Sequence, residues 1–189
     1  LDMGISYFVS DSNGKHYENP KILEKYQKEL RIEQRSLSRK KKGSNNRNKQ
    51  KLKIAKLYEK ITNTRNDFQQ KLSTEIVNQN KIIVVEDLKI SKMLSNKYLS
   101  KDISDASWSY FLNMLEYKCK ATGKLFEKIN PAYTSQTCNS CGEVDKKSRI
   151  SQSEFVCTSC GNIDNSDLNA AKNILGKGIT NLRKRKTLV

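Results

Sequence analysis

Four cysteines fall into two pairs of identical spacing, Cys138-Asn139-Ser140-Cys141 and Cys157-Thr158-Ser159-Cys160, separated by the 15 residues 142–156. A two-residue spacer lets both thiolates of a pair reach one ion, and two such pairs complete a tetrahedral shell of sulfur. Four soft thiolates suit zinc and require no redox role. The shell leaves no open coordination position, so the ion is expected to be structural. Gly142 and Gly161 follow the second cysteine of each pair, where a knuckle turn needs positive φ. Disulfides are the competing reading. The opening residues show no basic stretch followed by an apolar one, so the expectation is a reducing compartment and metal. The fifth cysteine, Cys119, lies on an apolar helix face and is expected in the core.

Three carboxylates stand where elements meet apolar neighbours: Asp2 before Met3-Gly4-Ile5, Glu86 ending Ile82-Ile83-Val84-Val85, and Asp167 opening Asp-Leu-Asn-Ala-Ala. A carboxylate at the edge of a buried strand is costly without a partner or a cation. Oxygen ligands of this kind suit Mg²⁺, and two such ions about 4 Å apart can clamp the attacking and leaving oxygens of a phosphodiester. Each acid also has a plainer reading: a solvated chain end, a strand terminus and a helix N-cap.

The charge balance points to a polyanion. Lys and Arg number 36 against 20 Asp and Glu, a formal +16, and nucleic acid is the usual partner of so basic a chain. Residues 21–72 alone hold 17 basic and 5 acidic side chains. Arg35, Arg39, Lys40, Lys41, Lys42 and Arg47 are the candidate phosphate contacts. No run of about 18 apolar residues occurs, so no membrane span is expected. His16, the only histidine, is expected on the surface of a hairpin strand, and no His- or Tyr-based strand-transfer site is visible.

The elements that must position these residues are those of an α/β chain. Residues 3–9 and 15–18 read as a hairpin around Asp11-Ser12-Asn13-Gly14. Asn19-Pro20 reads as a helix start, with Leu23, Tyr26, Leu30 and Leu37 on one face. A polar turn over 39–47 leads to a second long helix carrying Ile54, Leu57, Ile61, Phe68, Leu72 and Ile76. The pair forms a basic helical hairpin over about 20–79, with Tyr26, Tyr58 and Phe68 expected to pack inward. Ile82–Val85 reads as a strand buried on both faces. Residues 90–104 are expected as a mobile loop, and Asp105 as the cap of a helix bearing Trp108, Phe111, Leu112, Leu115 and Cys119, closed by Gly123. A strand follows over 124–129, and a last helix over about Asp167–Leu175.

The order of Asp2-Met3-Gly4-Ile5, Val85-Glu86-Asp87-Leu88, Tyr133-Thr134-Ser135-Gln136-Thr137-Cys138, the second cysteine pair and Asp167-Leu168-Asn169-Ala170-Ala171 resembles the C-terminal region of the TnpB (OrfB) family of bacterial insertion sequences. Gln34–Ser44 and Asn66-Asp67-Phe68 extend the likeness to nearly the whole chain. That family is similar in turn to compact type V CRISPR effectors. Tyr58 and Gln70 depart from it, standing where histidines are common.

The resemblance implies a RuvC-like, RNase H-type mixed sheet with a long basic helical hairpin and an inserted four-cysteine zinc ribbon. It implies Asp2, Glu86 and Asp167 as Mg²⁺-binding catalytic acids (Mn²⁺ substituting), with Asp164 assisting. Cys138, Cys141, Cys157 and Cys160 would bind zinc. The implied partners are a transposon-derived guide RNA and target DNA, in a bacterial cytoplasm, with base pairing choosing the sequence. The expected division is 1–130 nuclease core, 131–163 zinc knuckle, 164–176 final helix and 177–189 a disordered basic tail. An N-terminal recognition part is expected to precede Leu1. The competing class is a nucleic-acid-binding zinc-ribbon protein without catalysis.

Overall fold

The structure is a computed structural model describing residues 1–187. The first three strands, β1 (Asp2–Met3), β2 (Tyr7–Ser10) and β3 (His16–Glu18), form an antiparallel sheet in the order β1-β2-β3. The expected turn closes β2 on β3: Asp11 Oδ1 accepts from the backbone of Asn13 and Lys15, each at 2.9 Å, and Gly14 takes φ 89°. Gly4 permits the tight passage from β1 to β2, because a Cβ there would lie 2.7 Å from the Tyr7 carbonyl oxygen.

Helix α1 (Ile22–Ser38) and helix α2 (Asn45–Gln79) form the basic hairpin. A small core of Ile22, Leu30, Leu57 and Ile61, with Leu23 and Tyr26 against it, holds them together. Buried Gln50 adds a polar staple, donating to the Glu33 carbonyl at 3.2 Å and accepting from Ser36 Oγ at 3.2 Å. Ser44 caps α2 by accepting from Arg47 N, and the Arg47 guanidinium donates to the Leu37 carbonyl at 2.7 Å. Arg47 therefore closes the C-terminus of α1, a task the sequence did not suggest.

The start of α1 differs from expectation. Asn19 does not cap it; its amide donates to the Ile5 carbonyl at 2.8 Å, and the helix begins two residues later than Pro20. The capping carboxylate is Asp105, remote in the chain, which accepts from Leu23 N at 2.9 Å and pairs with Arg65 at 2.6 Å. Nor does Asp105 cap the Trp108 helix, as sequence spacing suggested. Residues 90–104 hold two short helices, α3 (Ile90–Met93) and α4 (Ser100–Ala106), and Asp105 belongs to α4. Ile103 and Ala106 are buried in the main core, and this anchors a stretch too polar to signal itself.

Strand β4 (Ile82–Glu86) and strand β5 (Leu125–Ile129) pair in parallel, with helix α5 (Trp108–Ala121) in the connection. A parallel pair needs such a crossover. Gly123 closes α5 at φ 66°, and Lys124 N returns to the Cys119 carbonyl at 2.9 Å. Both faces of β4 are covered, as its apolar run implied. Ile83 and Val85 join Phe8, Val9, Leu72, Ile76, Phe111, Leu115 and Cys119 in the main core, while Val84 packs on Ile129 and Ile174.

The expected mixed α/β architecture is present, with its strands in three ladders. The third is β6 (Phe155–Val156) with β7 (Ile163–Asp164), and β1 is joined to β4 by the Leu1 amine donating to the Val84 carbonyl at 2.8 Å.

Helix α6 (Ser166–Thr187) runs well past Leu175. The segment expected as a disordered tail is helical through Thr187, and residues 188–189 lie outside the described residues. Within the added turns Gly178 serves packing. A Cβ there would sit 2.4 Å from both γ-carbons of Val84. Gly178→Ala should therefore force α6 off β4. Overpacking of this kind costs about 1–3 kcal/mol, against the roughly 1 kcal/mol that alanine contributes to a helix. The thermal midpoint should fall, and a rise would show that the seam can yield.

Candidate functional site

The two cysteine knuckles repeat one backbone pattern. Cys138 N donates to the Glu143 carbonyl at 2.8 Å and Gly142 N to the Cys138 carbonyl at 2.9 Å; Cys157 N donates to Asn162 and Gly161 N to Cys157 at 2.9 and 3.0 Å. Gly142 and Gly161 take φ 79° and 71°, as the spacing required. All four sulfurs lie within 4.8 Å of one another. Cys138 and Cys160 are 3.8 Å apart, Cys141 and Cys157 3.7 Å. Those separations are too long for disulfides of about 2.05 Å. They match the edge of about 3.8 Å expected for a tetrahedron of Zn–S bonds near 2.3 Å. The donor set fits zinc. Backbone N–H groups of Cys160 and Ser159 pull the Cys157 thiol below the usual thiol range, favouring a thiolate. Cys119 is fully buried in the main core, as its helix position implied.

Asp2 on β1, Glu86 at the end of β4 and Asp167 in the first turn of α6 come from distant parts of the chain. Burial, followed by the charges of Glu86 and of Asp167, raises Asp2 to about 7. Burial also raises Glu86, opposed by a hydrogen bond from Thr134 Oγ1. Asp167 is raised by burial, with Arg149 and His16 pulling it down. The Arg149 guanidinium donates to Asp167 Oδ1 at 3.4 Å. Asp167 is not the helix cap. Asn165 fills that role, accepting from Asp167 N at 2.9 Å and Leu168 N at 3.1 Å, so the Asp167 carboxylate is left for other partners. Desolvated, mutually repelling carboxylates are the donor set a hard divalent cation would relieve.

Asp164 has a different task. Burial pushes its pKa up, but Lys172 at 2.7 Å, Asn139 at 3.0 Å and the Asn165 N–H bring it below the usual range. It straps the knuckle to α6.

Three groups near the carboxylates carried no assigned role in the sequence. Thr134 lies inside the Tyr-Thr-Ser-Gln-Thr-Cys segment, which was a usable signal. Arg149 stands in a polar stretch without pattern and gave none. His16 is half-buried rather than a free surface group: it hydrogen-bonds Ser10 Oγ at 2.8 Å and stacks on Tyr7 at 4.5 Å. Strand register aligns Asp2 with Ser10 and Ser10 with His16, which places the three in one cross-strand row.

At the hairpin tip, Arg35, Arg39, Lys41 and Lys42 are exposed and Lys40 half-buried. Among the described residues none of them pairs with a carboxylate. Arg35, Arg39 and Lys40 line a shallow cavity with Ile32 and Ser36. Tyr26 and Phe68 pack inward, Tyr26 under Lys60 and Phe68 edge-on to Phe8 at 5.2 Å. Tyr58 does not: it is 45% exposed, with its hydroxyl accepting from Gln34 at 3.2 Å. No helix among the described residues is long and apolar enough to cross a membrane.

This mixed α/β fold is shared with solved structures. It matches the protein of the Cas12f1–sgRNA–target DNA complex with a TM-score of 0.61 at 22% identity, over 92% of this chain and 48% of that one. It matches the mini-RNA-guided endonuclease CRISPR-Cas_phi3 with a TM-score of 0.52 at 20% identity, over 92% and 26%. Residues 1–97 match the OrfB_IS605 model, described as a probable transposase, and residues 108–174 match the Cas12f1-like TNB domain. The chain belongs to the OrfB_IS605 family, as its motifs implied. A provisionally named RNA-guided DNA endonuclease of Streptomyces pristinaespiralis is 40% identical over 95% of this chain and 44% of its own length. The Escherichia coli K12 protein InsQ, provisionally given the same activity, is 38% identical over 94% and 48%. The chain thus spans about half the length of the curated relatives it matches.

Proposed function

We propose that this chain carries the RuvC-type nuclease region of an RNA-guided DNA endonuclease, acting in a bacterial cytoplasm on target DNA selected by a transposon-derived guide RNA. What supports the reading is that Asp2 feels the negative charges of both Glu86 and Asp167, which after burial help lift it to about 7. These three carboxylates would hold Mg²⁺, or Mn²⁺ in its place. Bound there, the cations would supply Lewis-acid activation of water and stabilisation of the departing 3′-oxygen. The chain's own residues do the positioning. Thr134 fixes the Glu86 carboxyl, Asn165 relieves Asp167 of capping, and Arg149 neutralises Asp167 when no cation does.

The division of labour follows the expected segments, with residues 1–130 as nuclease core and 131–163 as the zinc-bearing module. Arg35, Arg39, Lys40, Lys41 and Lys42 track phosphates. The test is DNA cleavage by the full-length protein loaded with its RNA, in Mg²⁺ and at several salt concentrations. We expect metal-dependent cutting, and binding whose log-log salt slope loses about 0.7–0.9 for each phosphate contact removed from the hairpin tip. Tight RNA and DNA binding with no metal-dependent cutting would leave a catalytically silent nucleic-acid-binding protein.

A further inference from the structure

A cleft of about 660 Å³ opens between the end of β5, the segment leading into the first knuckle, and α6. Its volume lies within the range of small-ligand sites. Tyr133 lines it, 62% exposed and at φ 65°, a left-handed conformation rare for an aromatic residue. The next residue, Thr134, is buried and bonded to Glu86, so the cleft lies one residue from the group that holds the Glu86 carboxylate. Backbone strain concentrates where a side chain must be presented to a ligand.

The rest of the lining has a consistent chemistry. Asn130 spends only its Oδ1, on Ala132 N at 2.9 Å, and among the described residues the Asn181 amide makes no hydrogen bond. On the same wall the Lys177 ammonium donates to the Ala132 carbonyl at 2.5 Å with no carboxylate partner among the described residues, while Lys172 is already paired with Asp164 at 2.7 Å. Between them Gly176 leaves the floor bare: a Cβ built there would meet nothing within 4 Å. Unlike Gly178, this glycine serves no close packing.

An aromatic ring, free amides and one flanking cation are what one unpaired nucleotide offers partners for: a π-face, a hydrogen-bonding edge and a phosphate. We propose that this cleft seats a single unpaired nucleobase of the DNA strand being cut, stacked on Tyr133, so that the neighbouring phosphate is delivered to the carboxylates. The proposal deepens the nuclease reading and rests on it for the identity of the strand.

The test uses the zinc-loaded chain without added Mg²⁺ and a fluorescent 12-nucleotide single-stranded DNA carrying one 2-aminopurine. Stacking should quench the 2-aminopurine on binding. Tyr133→Ala should abolish that quenching and weaken binding by about 5- to 100-fold, while Tyr133→Phe keeps both. Gly176→Leu should weaken binding similarly by filling the cleft, with no drop in thermal midpoint. Parent-like binding and quenching by both Tyr133→Ala and Gly176→Leu overturns the cleft, as does undiminished affinity for an oligonucleotide abasic at that position. A parent that quenches and binds while the RNA-loaded full-length protein cuts nothing in Mg²⁺ keeps the cleft and ends the nuclease reading.

Discussion

Withdrawing the metal from the four thiolates should unfold residues 137–165 and disarm the carboxylate site in the same step. The knuckle has almost no core of its own. Its buried apolar cluster is Phe155 with Cys138 and Cys157, and its ladder is two strands of two residues each. A module this small needs a staple, and structural zinc supplies about 10–16 kcal/mol of apparent folding energy in comparable modules. The damage should spread, because the module holds the start of α6. Ser166 Oγ donates to the Ser151 carbonyl at 2.8 Å, Asn139 N to Asn169 Oδ1 at 2.9 Å, and Arg149 reaches Asp167. Cys157→Ser, or a strong chelator, should erase amide-exchange protection across 137–165 and reduce it through the first turns of α6. Full protection in protein shown to be metal-free would defeat this account.

The second large effect concerns the acids. Glu86→Gln should lower cleavage by more than about 100-fold, because removing only an outer partner of a ligand already costs about 10- to 100-fold. Thr134→Val, which strips the hydrogen bond from Glu86, should fall in that lower range. Equal losses for the two would demote Glu86 from ligand to scaffold.

Asp2 should show itself in stability. Its folded-state pKa is raised to about 7 from an ordinary 3.8. The folded protein therefore holds the proton more tightly than the unfolded chain does. Below pH 4 both states are protonated and no penalty exists. As pH rises from 4 to 7 the metal-free protein loses up to about 4 kcal/mol, at roughly 1.4 kcal/mol per unit. Asp2→Asn should make that slope shallower, leaving the smaller contributions of Glu86 and Asp167, and be the more stable protein at pH 8. Added Mg²⁺ should reverse the order by stabilising the parent alone. A parent whose unfolding midpoint is flat from pH 4 to 8 would mean that Asp2 is not buried among charges.

What was legible in the chain was what repeats or alternates. The CxxC spacing and its glycines prescribed the knuckles down to the sign of φ, and the unbroken apolar run of β4 announced a strand covered on both sides. The amphipathic faces of α1, α2 and α5 were equally plain. Tertiary capping was not. Asp105 serves a helix that begins over 80 residues earlier, which no local pattern encodes. The short helices Ile90–Met93 and Ser100–Ala106 bury only Ile103 and Ala106, with Ile90 and Met93 partly buried against the core, too scattered to make a periodic signal. Composition misled at α6, where the basic run over 183–186 reads as a solvated tail although the helix continues, seated on Val84 at Gly178. Motif order singled out Asp2, Glu86 and Asp167, while the packing of β1, β4 and α6 that lets Asp2 feel the other two charges has no local pattern, and Arg149 at Asp167 was invisible.

Helix α2 bears on how the parts move. It is 35 residues without a proline or glycine, a rod of about 50 Å. Its near half is glued to α1 through Leu57 and Ile61, and its far half lies beneath the central strands through Leu72, Ile76 and Val77. The arm has no wrist. A polyanion that grips the tip near Lys42 pulls on a crowbar whose other end is seated in the core that β4, the strand that carries Glu86, also lines.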